Sequence, residues 1–213
     1  TTREIQARSK LATLLSVDPK ELAVTANTSN AMQSVLRSFN WANGDEIIIS
    51  SLEHISTVGA CQALEQQYGV TTKVIEAGQS DGIFLESLKS SLNEKVRLVC
   101  ISQVASPDGR ILPVTESSRL AHDKGLPIVV DGAQSVGQFE VDVSALECDY
   151  FVGSGHKWLL GPMGIGYLWT APTQMEDFRP VLKPDYSPWK LPEETAPPIT
   201  AQYRSEIGTY NLP

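Results

Sequence analysis

Two glycine-rich stretches carry the residues best able to do chemistry. Residues 127–137 read PIVVDGAQSVG, so Asp131 closes an apolar run and is followed at once by glycine and a polar loop. A carboxylate in that place either caps the next turn or holds a fixed negative charge against a ligand. Gln134, three residues on, can add a hydrogen bond. Residues 151–166 read FVGSGHKWLLGPMGIG, and Lys157 lies there between two apolar runs. An ordinary lysine is a surface lysine. Here Ser154, His156 and Trp158 flank it, and Gly153, Gly155, Gly161, Gly164 and Gly166 let the backbone come close to a bound group. Residues 26–29, Ala-Asn-Thr-Ser, stand between a strand pattern and a helix pattern. Thr28 and Ser29 suit a helix cap. The same free N–H groups, hydroxyls and dipole end suit a phosphate. Both readings stay open on the residues alone.

Other chemistries are disfavoured. His54, His122 and His156 are far apart and no HExxH occurs, so no metal site is expected. Neither GxxxxGK[ST] nor a GxGxxG after a strand is present, which argues against a nucleotide-binding domain. What remains is a lysine amine, a buried-strand aspartate and a phosphate-type helix start. Those are the requirements of pyridoxal phosphate (PLP): an amine for a Schiff base, an anion that keeps the ring nitrogen protonated, and a phosphate anchor.

These residues need elements to position them. Apolar spacing predicts helices over residues 2–15, 29–39, 56–68, 85–92 and 115–124, and strands over 21–25, 46–50, 71–75, 96–102, 127–131, 150–153 and 165–169. Strands alternate with helices and several are apolar on both faces. That pattern predicts an α/β fold of three layers, α/β/α, around a mostly parallel sheet. Ligands of such sheets lie beyond the carboxyl ends of the strands, so the loops after Thr25, Ser50, Ser102, Asp131 and Gly153 are where function is expected. From Thr170 onward the texture changes: seven prolines crowd residues 172–198, which predicts a wandering excursion and no further strand–helix unit.

Composition fits that frame. The 213 residues predict one domain at about 150 residues per domain. Hydrophobic residues make up 41%, charged residues 20%, and mean hydropathy is −0.13, values of a globular chain and not of a disordered one. The net charge is −8, with lysines and arginines scattered, so no nucleic-acid partner is expected. No apolar run is long enough to span a membrane. Cys61, Cys100 and Cys148 are an odd set without CxxC spacing, and no signal peptide is visible at the first residues. The expectation is a reducing, cytoplasmic location.

VVDGAQSVG followed by SGHKWLLGPMGIG resembles the signature of the class V aminotransferases, which include cysteine desulfurases, cystine lyases and isopenicillin N epimerase-like and kynureninase-like proteins. All are fold type I PLP enzymes, and the resemblance runs over residues 1–213. It implies a PLP-binding large domain acting on an amino acid. By this resemblance Lys157 matches the Schiff-base lysine, Asp131 the partner of the pyridine nitrogen and His54 the residue stacked on the ring; these three are the catalytic set. Gln134 matches the residue beside the ring hydroxyl. Thr28, Ser29, Ser154 and His156 match phosphate contacts. Glu206-Ile207-Gly208-Thr209 resembles a segment that reaches across a homodimer, where Thr209 would complete the neighbour's phosphate site.

The match has departures. Ser106, also counted with the cofactor contacts, stands where desulfurases place an asparagine, and its Ser-Pro pair is closer to the epimerase-like branch. The family's small C-terminal domain, with the arginine for the substrate carboxylate, and its N-terminal substrate-facing segment find no counterpart in these 213 residues. None of the three cysteines occupies the desulfurase position. The resemblance therefore implies transamination, elimination, desulfuration or epimerisation without choosing among them. The rival reading is a non-catalytic relative that binds cofactor or dimerises without turnover.

Overall fold

The computed structural model describes residues 2–175 together with Phe178. The chain opens with helix α1 (Thr2–Leu15), strand β1 (Leu22–Thr25) and helix α2 (Thr28–Ser38). Strand β2 (Glu46–Ser50), helix α3 (Ile55–Tyr68) and strand β3 (Thr71–Ile75) follow. Helix α4 (Asp81–Ser91), strand β4 (Val96–Ser102), helix α5 (Val114–His122) and strand β5 (Ile128–Asp131) come next. Strands β6 (Tyr150–Ser154) and β7 (Gly166–Thr170) complete the sheet.

Local chemistry sets several boundaries. Asn27 caps α2 by accepting the Asn30 N–H at 2.8 Å. Gly69, at φ +71°, ends α3 and returns its N–H to the Glu65 carbonyl. Helix α4 begins four residues before the start expected at Leu85, because Ser80 caps it with Asp81 in its first turn. The residues that open it, Ser80, Asp81 and Gly82, carry no apolar signal, although Phe84 in the same turn is buried.

The seven strands lie in the order β1-β7-β6-β5-β4-β2-β3. All pairings are parallel except those of β7, which runs antiparallel to both β1 and β6. The reversal has a simple cause: residues 155–165 hold no crossover helix, and a parallel return needs a longer connection. Side chains alternate between two cores, as strand geometry requires. Ile47, Ile49, Leu98, Cys100, Val129 and Val152 pack under α2 and α3. Ile48, Val99, Ile101, Ile128, Val130 and Phe151 pack under α1, α4 and α5. The three-layer architecture expected from the sequence is the one found.

Between β2 and β4 the winding reverses. The helix after β2 covers one face and runs out to β3, whereas the helix after β4 covers the other face and runs toward β5. Neighbouring strands whose following helices leave on opposite faces open a crevice at their carboxyl ends. No described helix is long and apolar enough to cross a membrane.

Candidate active site

The carboxyl ends of β1, β2, β4, β5 and β6 and the amino end of β7 share one edge of the sheet. Two buried residues there come from opposite ends of the described chain. Ser154, last in β6, accepts the backbone N–H of Thr28 at 3.0 Å, and the two hydroxyl oxygens lie 2.5 Å apart. Thr28 opens α2, so hydroxyls, a helix N-terminus and its dipole are gathered at one point. Ser29 occupies the next turn position. Gly166 makes the approach possible: a Cβ there would lie 2.5 Å from the Asn27 backbone. Two residues beyond Ser154, the buried Nδ1 of His156 has no hydrogen-bond partner among the described residues. An orphaned buried nitrogen beside a hydroxyl-lined helix start is what an absent anion would satisfy.

Asp131 ends β5 and is only 6% exposed. One oxygen accepts the Ala133 N–H at 2.8 Å; among the described residues no side chain bonds the carboxylate. Burial pushes its pKa up, while the Ala133 N–H and then the positive charges of Lys157 and His54 hold it down. Lys157 and His54 are thus the cationic groups whose charge acts on Asp131. The turn after Asp131 is tightly packed, since a Cβ on Gly132 would lie 2.0 Å from the Phe151 ring. Lys157 itself, in the 155–165 loop, makes no ion pair among the described residues.

His54 has a fixed ring. It caps α3, its Nδ1 accepting the Ser56 N–H at 3.2 Å and lying 2.7 Å from the Ser56 hydroxyl. An acceptor at Nδ1 places the proton of the neutral ring on Nε2. Gln134 joins two loops: its amide nitrogen reaches Ser106 Oγ at 3.4 Å and its oxygen accepts the Trp158 indole N–H at 2.8 Å. These three residues line an open cleft of about 420 Å³.

Every expected site residue within the described part reaches this edge; Thr209 lies outside the described residues. One group escapes sequence reasoning. Glu53, adjacent to His54, is 7% exposed and bonds Ser50 and Ser102 at the ends of β2 and β4. Its position after a strand was visible, but its contact with a serine 49 residues away was not. The cysteines contribute no nucleophile: all three are free and buried, and burial pushes each thiol up, Cys61 to about 12.

The family model for aminotransferase class-V matches residues 1–185. An isopenicillin N epimerase from Streptomyces clavuligerus is 33% identical over 197 residues, covering 91% of this chain and 49% of the relative. A cysteine desulfurase from Escherichia coli K12 is 37% identical over 164 residues, covering 76% of this chain and 40% of the relative. A solved mutant of the cystine C–S lyase C-DES, with glycine covalently linked to its PLP cofactor, aligns with a TM-score of 0.79 at 28% identity. That alignment covers 97% of this chain and 60% of the other. The chain spans about half the length, or less, of these curated relatives.

Proposed function

The chain belongs to the class V aminotransferase family, a family of PLP-dependent enzymes, and from that premise we propose that it is the PLP-binding large domain of an enzyme acting on an amino acid. Bound PLP supplies an electron sink at the α-carbon of an amino acid. The residues divide that work. Lys157 Nζ holds the cofactor as a Schiff base and carries a proton to and from the α-carbon. Asp131 holds the proton on the ring nitrogen, because an opposite charge at short range favours the charged form. His54 packs on the ring with its orientation set by Ser56. Thr28, Ser29, Ser154 and His156 bind the phosphate, and Gln134 and Ser106 stand beside the ring hydroxyl. The observation that carries this reading is Asp131: a buried carboxylate with no bonded cation among the described residues, acted on by the charge of a lysine that makes no ion pair of its own there.

Assembly and location follow the same reading. The protein is a homodimer in which Thr209 completes the phosphate site of the neighbouring subunit. In support, the Lys157 loop exposes Trp158 (48%), Leu160 (87%) and Met163 (77%), large apolar side chains that a partner would cover. Three unpaired cysteines support a reducing cytoplasmic location.

The test is direct. Incubation with PLP should give a yellow protein, and borohydride should then fix the cofactor to a peptide containing Lys157. A colourless protein under excess PLP, or labelling of another lysine, overturns the assignment. Turnover of amino acids by the unreduced, PLP-loaded protein separates an enzyme from a relative that only binds cofactor.

A further inference from the structure

Glu53 occupies the fork between β2 and β4, where the winding reverses. Its Oε1 accepts the Ser50 hydroxyl at 2.7 Å and the Ser102 N–H at 2.8 Å, and its Oε2 accepts the Ser102 hydroxyl at 2.7 Å. All three donors sit on strand ends and are uncharged. No cation pairs with this carboxyl among the described residues, and a buried charge without a cation is costly. If a bridge between two strands were the only need, an amide would serve as well.

Its neighbours give the carboxyl a second task. Ser102 is the β4 partner of Asp131 on β5, and the next residue, Gln103, donates its N–H to the Asp131 carbonyl at 2.9 Å. His54 follows Glu53 in the chain. One short path thus runs from His54 through Glu53 and Ser102 to Asp131, tying the ring-facing histidine to the strand beside the ring-nitrogen carboxylate. The charged or titratable groups that act on or feel Glu53 are Asp131 on β5, Cys61 on α3 and Cys100 on β4; Lys157 and His54 act on Asp131. Burial first, then the Asp131 charge, raises Glu53 to about 7, against the pull of its three donors. Either serine hydroxyl can turn and accept from a protonated Glu53.

We propose that Glu53 is a positioning residue of this site: by tying the ends of β2 and β4 together through Ser50 and Ser102, it sets the loop that carries His54 against the strand end that carries Asp131. This rests on the PLP reading above for its purpose, but not for its test. Glu53→Gln keeps the reach and removes the charge. Glu53→Asp keeps the charge and loses one methylene of reach.

The charge is read without cofactor, from the side-chain carboxyl ¹³C signal of Asp131 against pH. In the parent, the Asp131 signal should show a step of its own and a second, smaller step near neutrality as Glu53 ionises. Glu53→Gln should erase the second step alone. An unchanged profile in that variant overturns the proposal. Reach is read from the His54 imidazole ¹⁵N shifts and from PLP titration. Glu53→Asp should move the shifts and weaken PLP binding about tenfold, with Glu53→Gln close to the parent at acidic pH. Should Glu53→Asp fail to fold, the Glu53→Gln profile decides. If the parent binds no PLP, the functional reading falls, while the Asp131 profile still decides the role of Glu53.

Discussion

The Thr28 backbone N–H and the Ser154 hydroxyl oxygen meet at 3.0 Å across 126 residues of sequence, and this contact joins the start of α2 to the end of β6. It is buried, so neither partner has water as a substitute. Ser154→Ala leaves a buried N–H unsatisfied and should destabilise the chain by about 1–3 kcal/mol. Urea unfolding measures that loss. PLP titration of the folded variant should show weaker binding as well, because the same hydroxyl is one of the proposed phosphate contacts.

Asp131→Asn separates stability from function. Folding raises the Asp131 pKa above its ordinary value of 3.8. A group whose pKa rises on folding favours the folded state below its unfolded pKa and loses that contribution as pH rises through the folded one. At neutral pH the carboxylate therefore opposes folding, and asparagine removes the opposition. The variant should unfold at equal or higher urea than the parent at neutral pH, yet bind PLP more weakly and lose turnover. A variant that is less stable at neutral pH and binds PLP normally contradicts both halves.

Glu53 carries the same sign with a larger reach in pH. Its pKa rises from 4.5 to about 7 on folding, with burial the main cause. Its contribution is complete below 4.5 and fades as pH rises toward 7. At about 1.4 kcal/mol per unit, the parent should lose on the order of 3 kcal/mol from this group across that window. In Glu53→Gln this part of the slope should vanish. Unfolding free energies of parent and variant, compared at mildly acidic and mildly basic pH, check it.

Thr209→Ala tests subunit sharing. Ligand that binds only the dimer stabilises the dimer, so PLP affinity should rise with protein concentration. Loss of one charge-assisted hydrogen bond of roughly 1.5–3 kcal/mol should weaken PLP binding about tenfold or more. Titrations at several protein concentrations, run beside sedimentation, measure both. A monomer that binds PLP as tightly as the dimer, with Thr209→Ala unchanged, counts against the shared site.

The sequence by itself determined the layers and put most of the candidate residues at strand ends and helix starts. Near-continuous apolar runs in β2, β4 and β5, buried on both faces, with helices between, specify a covered parallel sheet, and strand β3 falls on the residues expected. Asp131, Lys157, His54 and Thr28 stand out because strand ends, glycines and helix caps are local features, written in a few adjacent residues. Strand order, the reversal between β2 and β4 and the antiparallel return of β7 are not local, and only the tertiary structure decided them. So too with Glu53: in sequence it is one acid in a loop, and it becomes a buried bridge between strand ends only when β4 brings Ser102 to it from 49 residues away. Hydrogen bonds between distant strand ends depend on which strands become neighbours. That choice is made by packing two helix layers on one sheet, and no residue spacing records it.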